Sequence, residues 1–299
     1  MSKRKKIIII SLAVLTILFL FMEMYSVDLL PSSLKGDKNA AQNEAQGKAL
    51  LQKAWKAHGV DSMNAHQVYQ FTAVDTWKGP MGDMAKLWPQ PVSKMNIKYV
   101  PNTFDAQLTF LDGKTKGQVV GLQAWNYYEK PVNGKISFDV EDNSKHIFGM
   151  AAFQYFTELI GRLSHAELIR FMGETTFKGQ AYHQVFVTWG SLKGHDKHDQ
   201  YIIYLNKQSN MVDYVSYTIR ENYLDMPGSG MFYGTMGFSD FRNIHGFQVP
   251  FTQTVFMNGP KEDNENYVHQ LKLESFSFDG FEIAELYPDK SIQAVGDRK

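Results

Sequence analysis

"YGTMGFSDFRNIHGFQVPFTQTVF", residues 233–256, reads as two β-strands joined by a tight turn. Gly246 can take the positive φ that a short hairpin turn needs, and Pro250, which donates no ladder hydrogen bond, suits an edge or strand-start position. Phe247, Val249, Phe251 and Val255 alternate with Gln248, Pro250, Thr252 and Thr254, the period of a half-buried strand. No catalytic motif accompanies this hairpin, so its aromatic content asks for another explanation.

Working outward, strand-like runs occur at 68–77, 92–100, 105–113, 117–128, 135–140, 181–190, 200–205, 211–223 and 265–278, punctuated by Gly, Pro, Asn and Asp. No βαβ alternation interrupts them, which favours an antiparallel meander of about ten or eleven strands. A sheet that long must coil to bury a face, and something must fill its concave side. Aromatics make up 14% of the chain and fall on both faces of several strands. One face then serves an outer core and the other a cavity.

Two stretches have helical period. Leu51, Ala54, Trp55 and His58 are spaced i, i+3, i+4, i+7, with Gly59 as the C-terminal cap. In "GMAAFQYFTELIGRL" (149–163), Met150, Phe153, Phe156, Ile160 and Leu163 mark an amphipathic insert. It is expected to cover the cavity mouth as a lid. Ser164 and Glu167 form an S-x-x-E capping box for a further short helix, "HAELIRF".

The N-terminus is a separate unit. Lys3, Arg4, Lys5 and Lys6 precede an apolar run from Ile7 to Met22, extended by Met24 and Tyr25. This suits an uncleaved transmembrane signal-anchor, since a span needs about 17–25 residues. No small-x-small cleavage site follows, although a cleaved signal peptide is the alternative. The basic cluster keeps the N-terminus cytoplasmic and exports the rest. The expected organisation is a tail and anchor at 1–25, a polar spacer at 26–46, one mainly β domain at 47–290 and a tail at 291–299.

Composition excludes several classes. The 299 residues balance 31 basic against 31 acidic side chains, but the four N-terminal charges leave 27 basic and 31 acidic residues in the remainder. A globular part of that sign gives no reason to expect nucleic acid. There is no cysteine, which removes disulfides, thiolate metal sites, a cysteine nucleophile and a lipidated N-terminal cysteine. No G-x-S-x-G, H-E-x-x-H, Walker or G-x-G-x-x-G sequence occurs, and no cofactor is expected.

Phe71, Phe110, Phe138, Phe186, Tyr204 and Tyr217 are the strand residues expected to face the cavity. The competing reading makes them ordinary core. Arg220, in "YTIRE", is a candidate contact for a phosphate or carboxylate headgroup; the alternative is a strand-surface ion pair, and Arg242 stands the same way. His195 and His198 in "GHDKHD" (194–199) form a weak metal candidate against a solvated turn. His58 and His66 read as structural.

The order of elements, with Asp199, Tyr201, Tyr204, Leu205 and Asn206 followed by Asp240, Phe241, Arg242, Gly246 and Pro250, resembles the LolA/LolB-type lipoprotein-localisation fold over residues 45–280. It is most similar to exported, membrane-tethered relatives. The resemblance implies an incomplete antiparallel β-barrel of α+β class closed by a helical lid, with an apolar cavity for acyl chains. Its implied partners are a lipid, an acyl chain or a lipoprotein anchor, and the inner membrane through the N-terminal helix, with the domain in the periplasm. A tether departs from the soluble carriers and cysteine-anchored lipoproteins of that fold. Two other classes stay open: an envelope interaction or sensor module, and a hydrolase of an exported ester or glycan using the His195/His198 loop.

Overall fold

The computed structural model describes residues 27–36, 38–192, 197–220, 229–261 and 265–292. The expected anchor at 1–25 and His195 lie outside these residues. Among the described residues no helix is long and apolar enough to cross a membrane.

Twelve strands form one antiparallel sheet. They are β1 (Tyr69–Trp77), β2 (Val92–Tyr99), β3 (Ala106–Phe110), β4 (Val119–Gln123), β5 (Asn126–Lys130), β6 (Leu168–Phe177), β7 (Gln180–Thr188), β8 (Tyr201–Asn206), β9 (Val212–Tyr217), β10 (Gly234–Ile244), β11 (Phe247–Met257) and β12 (His269–Phe278). The order β5-β4-β3-β2-β1-β12-β11-β10-β9-β8-β7-β6 describes two meanders joined where β12 pairs with β1. β5 and β6 are the two free edges, so the barrel stays open along that seam.

The 233–256 hairpin forms as read. His245 and Gly246 have φ of 52° and 92°, the positive pair that a two-residue turn requires. β11 pairs with β12 only over Thr252–Val255. Pro250 therefore lies past the last rung, where its missing N–H costs nothing.

Helix α1 (Ala40–His58) ends at Gly59 with φ 69°. A Cβ there would come within 1.9 Å of Gly246 O, so the cap also lets the helix end sit on the hairpin turn. α1 packs along edge strand β6. A Cβ on Gly47 would lie 3.0 Å from Phe171 N, and Glu44 pairs with Arg170 at 2.9 Å. Covering an edge in this way blocks intermolecular strand pairing. The short α2 (Val60–Asn64) and α3 (Gly79–Ala85) follow. α4 (Ser144–Thr157) and α5 (Leu159–Leu163) lie in the concave face of the sheet.

Several expectations are corrected. The run 117–128 is two strands, because Ala124 and Trp125 take φ of 48° and 64°. That turn lacks glycine and is held by side chains: Asp105 Oδ1 accepts from Ala124 N at 2.7 Å, and Asn126 Nδ2 donates to Gln123 O at 3.0 Å. The run 135–140 is no strand; Ser137 makes a single bridge to Glu129. "HAELIRF" is no helix. Ser164 closes α5, its hydroxyl donating to Ile160 O at 2.6 Å, and residues from Leu168 onward pair with β7. Pairing over ten residues overrides a local capping signal. The described part of 26–46 is no free spacer, because α1 begins at Ala40 and Leu30 and Leu34 are buried against Phe186.

Candidate functional site

The insert was expected to roof a cavity with Met150, Phe153, Phe156, Ile160 and Leu163. Instead this stripe is core. All five are buried, and Phe153 packs against Trp88 and His269 at ring distances of 5.9 and 5.8 Å. Gly149 is required here, since a Cβ would lie 2.6 Å from Trp88 Cη2. Phe71 and Phe110 belong to the same solid core.

The six strand aromatics divide between the two faces. Phe71, Phe110 and Tyr217 lie on the covered face. Phe186 is on the opposite face, under Leu30 and Leu34. Tyr204 stands among Tyr182 and Tyr214 on the half-buried alternation of β8. Phe138 packs on Tyr128 at 5.1 Å. A one-residue difference in phase moves a side chain through the sheet, and period-2 patterning cannot say which face is concave when both carry aromatics.

A cavity of about 530 Å³ does exist, on the other side of α4. Its floor is the stripe Phe148, Ala151, Ala152 and Tyr155, with Phe156 at its margin. One wall is Phe104 and Trp125, the latter thrust forward by the strained β4–β5 turn and set 5.0 Å from Phe104. Non-glycine residues at positive φ concentrate where the fold must aim a side chain. The opposite wall comes from the ends of β7 and β9 and the start of β8: Trp189, Tyr201, Tyr217 and Ile219. The site thus sits in the open seam between the two halves of the sheet. Its volume is within the 300–1,000 Å³ typical of small-molecule pockets.

Polar groups collect in one corner. Glu167 Oε2 accepts from Gly190 N at 2.9 Å. Asp199 Oδ1 accepts from Thr218 Oγ1 at 3.0 Å and from Arg220 N at 2.7 Å. His198 also lines this corner. Among the described residues no cluster of three His, Asp or Glu side chains could hold a metal ion. Arg220, the expected headgroup contact, is not among the residues that line the cavity. Its Nη2 donates to Val27 O and to Gln200 Oε1. Arg242 pairs with Asp240 at 2.7 Å on the exposed part of its own strand and covers the Phe251 ring.

Beneath the floor, a buried clip fixes the helices. Glu158, between α4 and α5, accepts from Tyr69 OH (3.0 Å), Gln154 Nε2 (2.9 Å), Asn102 N (3.1 Å) and Arg162 Nη2 (2.7 Å). Burial pushes its carboxyl up from the ordinary range, and Arg162 and the other donors oppose that shift. Arg162 also donates to Thr103 O at 2.7 Å. Its guanidinium lies 4.2 Å from the Phe104 ring centre and 5.5 Å from that of Tyr155. The cavity rings are therefore braced from behind. His58 and His66 are structural, as read: His58 Nε2 accepts from Val212 N at 2.9 Å, and His66 pairs with Asp279.

An open antiparallel half-barrel wrapped on a helical plug, with an aromatic cavity in its seam, defines the class of fold. Solved structures share it. A DUF1329 family protein from Desulfovibrio piger is 13% identical and aligns over 84% of this chain and 99% of its own, with a TM-score of 0.52. A domain assigned to outer membrane lipoprotein sorting, from Vibrio parahaemolyticus, is 13% identical over 82% of this chain and 97% of its own, with a TM-score of 0.50. The chain has a LolA-like fold. No family model and no curated protein matches the sequence.

Proposed function

We propose that this protein is a membrane-tethered, extracytoplasmic binding protein that holds an acyl chain of a lipid or lipoprotein in the seam cavity. The observation that carries this reading is the cavity itself, about 530 Å³ lined mainly by aromatic and aliphatic side chains. Burying methylenes there is worth about 0.8 kcal/mol each, so a long chain binds without a specific polar contact. The lipoprotein-sorting name carried by one structural neighbour points the same way.

The membrane-proximal part of the proposal draws on a strap. Val27 N donates to Gly230 O at 2.7 Å, Leu29 N to Gln200 Oε1 at 2.7 Å, and Gln200 Nε2 to Asp28 Oδ1 at 2.8 Å. Gln200 and Arg220 are the sequence neighbours of the lining residues Asp199 and Ile219. An anchor ending near Tyr25 would deliver the chain directly to the cavity wall, in the periplasm or its equivalent.

Native mass spectrometry with lipid extraction on the full chain from its own membranes tests the proposal. Wild type is expected to carry an acyl species, and Ala152→Trp, which fills the floor, to lose it with an unchanged unfolding midpoint. A wild-type protein that releases no acyl species overturns the reading.

A further inference from the structure

Exposed apolar side chains gather at one end of the sheet. Six large ones are exposed among the described residues: Met84, Val92, Trp125, Val132, Ile136 and Phe232. Trp125 belongs to the cavity wall. The other five stand at the opposite strand ends, and the ladder fixes their placement. Val92 pairs with Thr76, Trp77 with His269, His269 with Val255, and Gly234 with both Met257 and Tyr217. Met84 is in α3 just after β1, Val132 and Ile136 follow β5, and Phe232 precedes β10. Single exposed apolar residues are ordinary. Five of six at one end call for a partner.

Contacts trace this end as one continuous rim. A Cβ on Gly117 would lie 3.5 Å from Val132 Cγ1, and Gln90 lies over Gly113, where a Cβ would come within 1.7 Å of its Nε2. A Cβ on Gly82, in α3, would lie 3.0 Å from Val268 O, and Lys78 Nζ sits 4.1 Å from the Tyr267 ring centre. Further along, Asn258 N donates to Tyr233 O at 2.9 Å, and Val27 N to Gly230 O at 2.7 Å. The strap therefore joins the fold on this rim, beside Phe232.

What covers the rim follows from the sequence before the strap. The apolar run Ile7–Met22, extended by Met24 and Tyr25, leaves only Ser26 before Val27. Two residues at full extension reach about 7 Å. A span ending at Tyr25 thus holds the rim against the membrane surface, and beside the strap that gap admits no other protein domain. Resting on the tether proposed above, we infer that the rim is a membrane-docking surface whose five apolar side chains enter the headgroup region of a phospholipid bilayer. Ile219 of the cavity wall neighbours Arg220, whose Nη2 donates to Val27 O, so docking sets the cavity beside the lipid.

The chain has no cysteine, so a single introduced thiol reports one position. Met84→Cys, Val92→Cys and Val132→Cys are each labelled with a nitroxide in the full chain, reconstituted in phosphatidylcholine nanodiscs. Gln208→Cys, in the exposed turn after β8 at the other end of the sheet, is the control. Relaxation by oxygen, which concentrates in lipid, is compared with relaxation by a water-soluble nickel chelate. The oxygen-to-nickel ratio should be several-fold higher at the three rim positions than at Gln208→Cys. Adding Met84→Asp and Val92→Asp, both at exposed positions, should bring the Val132→Cys ratio down toward the control with an unchanged unfolding midpoint. Equal ratios at all four positions, in a chain that alkaline carbonate does not extract from its own membranes, overturn the docking and leave the tether standing. Extraction by carbonate overturns the tether and the docking together, and leaves the cavity reading to its own test of acyl occupancy.

Discussion

One side of α4 turns Met150 and Phe153 into the core, while the other turns Phe148, Ala151, Ala152 and Tyr155 to an open cavity. Both sides are apolar, although the cavity side carries two alanines. What differs is the polar frame beneath them. On the packed side Tyr99 OH donates to Met150 O at 2.8 Å, and Glu158 draws Tyr69, Gln154, Asn102 and Arg162 into one buried cluster. Those bonds hold helix to strand at fixed separation. On the cavity side α4 meets the far wall through rings, Tyr155 against Tyr201 at 5.9 Å and Phe156 against Tyr217 at 4.8 Å, and the cavity opens beside these contacts. Hydrophobicity alone therefore does not decide whether a helix face closes; the directional contacts around it do.

The strongest way to break that contrast is to remove the clip. Glu158 and Arg162 side chains are 0% and 4% exposed. Glu158→Ala would leave a buried guanidinium without its counter-ion, and such losses cost about 3–5 kcal/mol. Urea unfolding of the variant should show a drop of that size. A loss below about 1 kcal/mol would mean that α4 is held by its rings alone.

Acid should act on the packed side as well. Burial pushes His58 down to about 4 and His146 down to about 4. Both are neutral in the fold, and the unfolded chain takes up protons first, near pH 6.5. Stability is then fully present above about pH 6.5 and is lost as pH falls toward 4. The loss is about 3 kcal/mol for His58. Denaturation midpoints measured from pH 7.5 to 4 should show this slope, and His58→Gln should flatten part of it. A wild-type slope that His58→Gln leaves unchanged would assign the acid sensitivity elsewhere.

How much of this was legible follows from which signals are local. The hairpin at 233–256 and the C-cap at Gly59 were readable because glycine at positive φ and period-2 alternation are short-range. The break at Ala124–Trp125 was not, because its positive φ values are held by Asp105 and Asn126 side chains rather than by glycine. β6 was hidden for a related reason: Ser164 and Glu167 carry a helix signal that partner strand β7 overrules. The cavity itself left a trace in α4. Phe148, Ala151, Ala152 and Tyr155 repeat i, i+3, i+4, i+7 opposite the packed stripe, and a helix apolar all round has both faces covered or bordering an apolar site. Asp199 and Tyr201 stood in the family motif without an assigned role, and Trp125, Trp189 and Phe104 carried no signal, since only the closing of two sheet halves around α4 brings them together.

The strap offers a smaller effect on the cavity's edge. Arg220→Ala removes the guanidinium bonds to Val27 O and Gln200 Oε1. A charged hydrogen bond of this kind is worth about 1.5 kcal/mol or somewhat more. Hydrogen exchange should speed up at residues 27–34, while α4 amides keep wild-type protection. Faster exchange in α4 as well would show the strap and the plug to be one cooperative unit.

The smallest expected change in stability comes with the largest expected change in binding. Ala152 is half-buried on the cavity floor, and Ala152→Trp directs a large ring into space rather than into packed neighbours. Overpacking penalties arise when inserted atoms meet a filled interior, so stability should stay within about 0.5 kcal/mol of wild type. Octanol affinity should fall at least tenfold. Trp at Gly149, on the packed side of the same helix, is the internal control: its Cβ alone meets Trp88 Cη2 at 2.6 Å, and that variant should lose stability before it loses ligand. If Ala152→Trp destabilises as much as Gly149→Trp, the floor is packed in solution and the two sides of α4 do not differ.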